Sequence, residues 1–323
     1  MVFATTHAAA LFALILALVC FSVWPNLYKK ARWRFELFAL DFALGALLLA
    51  FVAAYTFGTL GPEMSFTDRM LVAGRTAWLW IFATGIVLAF GNMLVLVSIS
   101  LLGLAAALPI SFGLAIVLFT AIHYRFVQTS QALAGMVLLV VGILCALAGS
   151  RRMKRTVKRG WVKGVCLAIS AGVPLALAEW MLSGVSDPEF GPGPYASVLM
   201  LALGFVIATP AYNFFFMHIK IVGNPIGFAH YKIATRKMHV PGLLSGMIWA
   251  TGMLALLVAF SATGDAELGT HVRFILPLFS IAFCALSGLF GWGEYAAGGR
   301  RVLLVTALCF IAGVLVTGFA LTN

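Results

Sequence analysis

Nine stretches of about 20 mostly apolar residues run along this chain, and a tenth carries Glu36 and Asp41 where hydrocarbon is expected. A span of that length is what an α-helix needs to cross a bilayer. The spans read as Ala8 to Trp24, Phe35 to Phe57, Ala77 to Val97, Gly103 to Tyr124, Gln131 to Ser150, Gly164 to Leu182, Tyr195 to Met217, Gly242 to Phe260, Val272 to Phe290 and Val302 to Leu321. With 63% hydrophobic residues and a mean hydropathy of +1.07, little is left for a soluble domain. The expected fold is therefore all-α, a polytopic protein of ten transmembrane helices in the plasma or inner membrane, with the lipid bilayer as its first partner.

The net charge of +11 suggests a nucleic-acid partner until its distribution is considered. Seventeen of the 21 Lys and Arg fall in alternate loops: Lys29, Lys30, Arg32 and Arg34; Arg151, Arg152, Lys154, Arg155, Lys158, Arg159 and Lys163; Lys220, Lys232, Arg236 and Lys237; Arg300 and Arg301. That is the positive-inside pattern, which puts these loops in the cytoplasm and both termini outside. It explains the charge, and no nucleic acid is invoked. No Lys or Arg precedes the first span and no small-residue cleavage site follows it, so it is expected to be a retained helix rather than a signal peptide.

The basic segment 151–163 divides the chain into five spans on each side, residues 1–150 and 151–323. Landmarks recur in order: Ala83-Thr84-Gly85 with Ala250-Thr251-Gly252, Leu108-Pro109 with Leu276-Pro277, and Gly142 with Gly313. An odd number of spans per half forces the second half to enter the membrane inverted. The expected architecture is two inverted five-helix repeats, as in secondary transporters.

An ionisable group at mid-span costs about 2.5–3.5 kcal/mol and is functional by default. Asp41 lies about 9 Å along its helix from Phe35, too deep to reach the headgroups. It is the first candidate for a proton-linked carboxylate. Glu36 is expected to pair with Arg32 one turn earlier, and Glu179 in the sixth span either lines a cavity or anchors at the interface. Asn92 and Asn213 stand in apolar surroundings and need partners across helices. They are candidate solute contacts, with Thr84 and Thr251 at matching depths and with Trp80, Trp249 and Tyr212 as an aromatic wall or as packing. Pro109 and Pro277 each free a backbone carbonyl within a span.

His218, His230 and His239 are spread along one loop without an i, i+4 pair and read as surface residues. The five cysteines lie within spans and read as small packing residues. No metal site or cofactor is expected, and no phosphate loop, Ser/His/Asp order or CxxC indicates an enzyme.

Taken together, Trp24-Pro25-Asn26, the run from Arg34-Phe35-Glu36 to Asp41-Phe42-Ala43-Leu44-Gly45, and Gly91-Asn92 resemble landmarks of the drug/metabolite transporter superfamily, in its glucose/ribose porter and ureide permease-like branch. Gly223-Asn224-Pro225-Ile226-Gly227-Phe228, His239-Val240-Pro241-Gly242, Gly246-Met247-Ile248-Trp249 and Trp292-Gly293-Glu294 are similar too. The resemblance implies a ten-helix transporter of a small polar solute such as a sugar, ureide or nucleobase, moved with a proton or another cation. The family pattern has a Gln near the middle of the ninth span, where this chain has Leu276-Pro277-Leu278-Phe279. The expectation is thus a secondary active transporter working by alternating access, with a homodimer allowed. A membrane-embedded transferase would need a dense catalytic cluster at one face, and a lipid or polyprenyl carrier would share both the helices and the carboxylate.

Overall fold

A computed structural model describes residues 1–60, 64–127, 130–152, 160–183, 191–219, 221–295 and 297–320. Lys154, Arg155, Lys158, Arg159 and Lys220, five of the residues behind the sidedness argument, lie outside the described residues. The rest is helical: α1 (His7–Ala31), α2 (Phe35–Tyr55), α3 (Phe66–Val72), α4 (Arg75–Leu102), α5 (Leu104–Val127), α6 (Ser130–Ser150), α7 (Trp161–Ser183), α8 (Gly193–His218), α9 (Ala229–Ile233), α10 (Arg236–Phe260), α11 (Thr270–Leu286) and α12 (Ala297–Ala320). Apart from the short α3 and α9, all belong to segments long and apolar enough to cross a membrane, ten in total. Among the described residues there is no strand.

Two helix ends differ from the apolar pattern. Helix α1 continues past Trp24, through Pro25, and stops only where Arg32 turns left-handed at φ 49°. Helix α10 begins at Arg236, six residues before the apolar run, so its first two turns are polar and carry His239. Pro109 and Pro277 lie inside α5 and α11, which run on through them.

The helices gather into two compact units, and each unit draws on both halves of the sequence. The first comprises residues 1–90, 178–218 and 226–269; the second comprises 91–177, 219–225 and 270–323.

In the first unit α10 packs on α1 and α2, and α2 packs on α8. Without a hydrophobic driving force in lipid, helices associate where small residues let backbones approach. A Cβ on Gly45 would strike the Leu243 carbonyl, and one on Gly246 the Phe42 carbonyl, so α2 and α10 cross in parallel at these two glycines. Helices α4 and α8 cross in parallel in the same way, with Gly85 against the Leu201 carbonyl and Gly204 against that of Phe82. Above and below, aromatic rings fill the seam. Phe42, Phe205 and Trp249 lie 5.6–5.7 Å apart, and Phe35 meets Phe216 at 6.0 Å, which sets α2 and α8 antiparallel.

In the second unit α6 lies along α12. Gly135, Gly142 and Gly149 repeat every seven residues on α6 and face Thr317, Phe310 and Leu303. A sharper device joins α4 to α5. The helix breaks at Gly103 alone, at φ 76°, and the carboxylate of Glu294 receives the Leu104 N–H at 2.9 Å and the Ala105 N–H at 3.0 Å. Those are two of the donors that the start of a helix leaves unpaired. Tyr295 follows, its hydroxyl donating to the Leu102 carbonyl. Burial, and then the charge of Glu294, hold its phenol well above the ordinary range.

Candidate functional site

The first two turns of α2 are where charge and burial coincide. Arg34 stands just before the helix, and Glu36 occupies its first turn, where an acid suits the helix dipole. The Arg34 guanidinium reaches Glu36 twice, Nη2 to Oε1 at 2.7 Å and Nε to Oε2 at 3.1 Å, and the Glu36 side chain is 1% exposed. This corrects the expected Arg32 pairing. Arg32 ends α1 in a left-handed turn, so it does not share a helix with Glu36, and the i, i+4 spacing loses its meaning.

Asp41 follows on the next turns, 1% exposed. The Tyr231 hydroxyl, from α9, donates to its Oδ1. His239 Nδ1, from the second turn of α10, lies 3.1 Å from Oδ1 and 3.0 Å from Oδ2, where an Nδ1–H donates to the ionised carboxylate. The approach is close because Gly242 faces Asp41 Cβ with no side chain between them. Trp33 covers the group, stacked near Tyr231 at 6.0 Å and edge-on to His239 at 4.8 Å, while Tyr231 and His239 meet at 4.6 Å.

Burial, then the hydrogen bond to Asp41 and its charge, raise the Tyr231 phenol well above its ordinary range, so it stays an O–H donor through any physiological pH. His239 is therefore no surface residue. Its side chain is 22% exposed and committed to Asp41, because α10 starts early enough to lift it out of the loop. Chemically the arrangement is a carboxylate deep in a span that can hold or lose a proton. Its bonds come from two side chains of the 226–269 segment, not from fixed backbone amides.

The remaining candidates are dispersed. Asn213 on α8 is fully buried, and neither its amide nitrogen nor its oxygen has a hydrogen-bond partner among the described residues. Asn92 on α4 is 7% exposed with its Nδ2 unpartnered. Thr84 and Thr251 donate to carbonyls of their own helices, Trp80 and Met247, at 2.9 Å each.

Trp80 spends its indole N–H on the Met181 carbonyl at the end of α7, 3.0 Å away, and meets Trp180 edge-on. Trp249 is 7% exposed within the α2–α8–α10 aromatic seam. Tyr212 donates to the Ile86 carbonyl at 3.3 Å with its ring on Phe90. Glu179 is exposed although Leu175 and Ala176, one turn earlier on the same side of α7, are buried, and it forms no ion pair among the described residues. No cluster of three metal-binding side chains occurs among the described residues.

The sequence drew attention to Asp41 but not to Trp33, Tyr231 and His239 as the side chains around it, nor to Arg34 as the partner of Glu36. The available signal was compositional: Trp33, Tyr231 and His239 are aromatic or imidazole groups in otherwise basic loops flanking the deepest carboxylate.

Ten long apolar helices define an integral, multi-pass membrane protein. The chain is 26% identical over 243 residues to a probable glucose uptake protein, GlcU, of Priestia megaterium, spanning 72% of this chain and 76% of that one. It is 21% identical over 236 residues to the probable glucose uptake protein GlcU of Bacillus cereus, spanning 71% and 74%. One protein of known crystal structure shares the fold at a TM-score of 0.52 and 16% identity, over 98% of this chain and 99% of the other. No family model matches the chain.

Proposed function

We propose that this protein is a secondary transporter for a small polar solute of the sugar class, with both termini outside and a proton carried by Asp41. The observation behind this is the Asp41 cluster: a buried carboxylate inside a span, bonded by groups that can let go of it. A carboxylate inside a span costs about 2.5–3.5 kcal/mol on insertion scales, and keeping one there points first to a functional role. The glucose-uptake naming of two relatives supports the sugar class.

The two glycine crossings support an inverted repeat. Exchanging the halves turns α2 with α10 into α8 with α4, and the two crossings run in opposite directions. Under that exchange packing equates Gly85 with Gly246, whereas Gly252 rests on Cys20 and Phe21 of α1. Two such pseudo-symmetric bundles could rock about a shared site, which is alternating access.

Thermal stability of the purified protein in detergent tests this reading, because a ligand that binds only the folded state raises the melting temperature. D-Glucose at millimolar concentration is expected to raise it, by an amount that changes between mildly acidic and mildly alkaline buffer. Stabilisation by a polyprenyl phosphate, with none from sugars, ureides or nucleobases, would replace the transporter with a lipid carrier.

A further inference from the structure

Asn213 carries a chemical contradiction in the conformation described. Among the described residues it is the one side chain with two separate buried polar atoms, a donor and an acceptor, left without a partner. Each unmet buried group costs about 1–3 kcal/mol, and native proteins keep few of them. The single hydroxyls of Ser111, Thr120 and Thr317 are also unpartnered, but a hydroxyl can rotate toward a neighbour, whereas a planar amide is fixed by its packing. That packing is tight. Thr209, one turn before, is 2% exposed and bonds back to the Phe205 carbonyl, and Phe216, on the same face, rests on Phe35.

The ring contacts also fix its level. Because α2 and α8 are antiparallel and Phe35 meets Phe216 while Phe42 meets Phe205, Asn213 lies on α8 between the levels of those two contacts. That puts it within about one helical turn of the level of Asp41.

We infer that Asn213 is a solute contact of the transport cycle, covered here and uncovered when the Phe35 end of α2 and the end of α8 part. A primary amide presents a donor and an acceptor on one edge, which matches two neighbouring hydroxyls of a neutral sugar ring, each able to give and to receive. A neutral group places no demand of charge on the ligand, so the class it selects is a neutral polyhydroxylated ring. With the solute seated there, Asp41 lies about a turn away, close enough for proton binding and solute binding to influence each other. The inference rests on the transport reading and adds the residue that discriminates.

Purified protein in liposomes, exchanging labelled D-glucose against internal D-glucose, separates the two. Asn213→Leu removes the unmet amide at similar volume. It is expected to keep or raise the melting temperature while raising the KM for exchange at least about tenfold. Asn213→Ala guards against a Leu variant that does not fold. Wild type is expected to disfavour at least one monodeoxyglucose relative to glucose, and the Ala variant to lose that discrimination. If both variants keep the wild-type KM and deoxy-sugar profile, Asn213 is structural and the inference falls while the transporter stands. If wild type itself neither binds nor exchanges D-glucose, the sugar reading falls and takes the inference with it.

Discussion

Asp41 and Glu294 are both buried carboxylates, 1% and 8% exposed, and they are held in opposite ways. Glu294, in the second unit, receives two backbone N–H groups at the start of α5, beside a glycine turn that leaves no room for a Cβ. Those donors cannot turn away without unwinding the helix. Asp41, in the first unit, is bonded by the side chains of Tyr231 and His239, and both can rotate off it. The same functional group therefore serves as a staple in one place and as a movable contact in the other. Burial alone does not mark a working carboxylate; what matters is whether its partners are free to leave.

The comparison makes graded predictions. Glu294→Ala strands two donors at a buried helix start and is expected to cost about 2–4 kcal/mol, read as a large fall in melting temperature in detergent. Glu294→Gln keeps one acceptor and should lose roughly half of that. A Glu294→Ala protein as stable as wild type would show that the staple is not one.

Tyr231→Phe removes one O–H donor from Asp41 and is expected to cost about 1 kcal/mol. Because the native phenol titrates above its unfolded value of 10.0, its contribution is fully present below that value and is lost only as pH rises through the native one. On the alkaline side, from about pH 7 to pH 9, the difference between Tyr231→Phe and wild type should therefore be flat. A decline starting below about pH 8 would mean that the phenol is not held by burial and Asp41. Asp41→Asn keeps the volume and most of the hydrogen bonding, so its effect on stability should be the smallest, within about 1 kcal/mol.

Much of this was legible in the sequence, and what was not has a common cause. The ten spans follow from apolar length, and Asp41 stood out because a short side chain two turns inside a span cannot reach water. Its partners were hidden because Tyr231 and His239 are 190 and 198 residues away in sequence, joined to it only by packing. His239 was further obscured because α10 begins in a polar stretch that hydropathy reads as loop.

Arg34 was passed over for Arg32 because the spacing rule assumes one continuous helix, and the left-handed Arg32 ends α1. Glu294 entered the sequence only as part of the Trp292-Gly293-Glu294 landmark after the ninth span. Its use depends on the break at Gly103, and the Leu104 N–H that it receives lies 190 residues earlier in the chain. The mutual position of glycines was likewise invisible: Gly85 matches Gly252 by local letters and Gly246 by what its backbone touches.

The central claim is that Asp41 carries the proton, and transport in liposomes tests it most directly. Wild-type protein and Asp41→Asn are reconstituted with an imposed proton gradient, and D-glucose accumulation is measured beside glucose–glucose exchange, which needs no net proton movement. The account predicts that Asp41→Asn loses accumulation against the gradient and retains exchange. Accumulation by the variant at the wild-type rate would contradict it, leaving Asp41 structural and Glu179 as the remaining carboxylate to test.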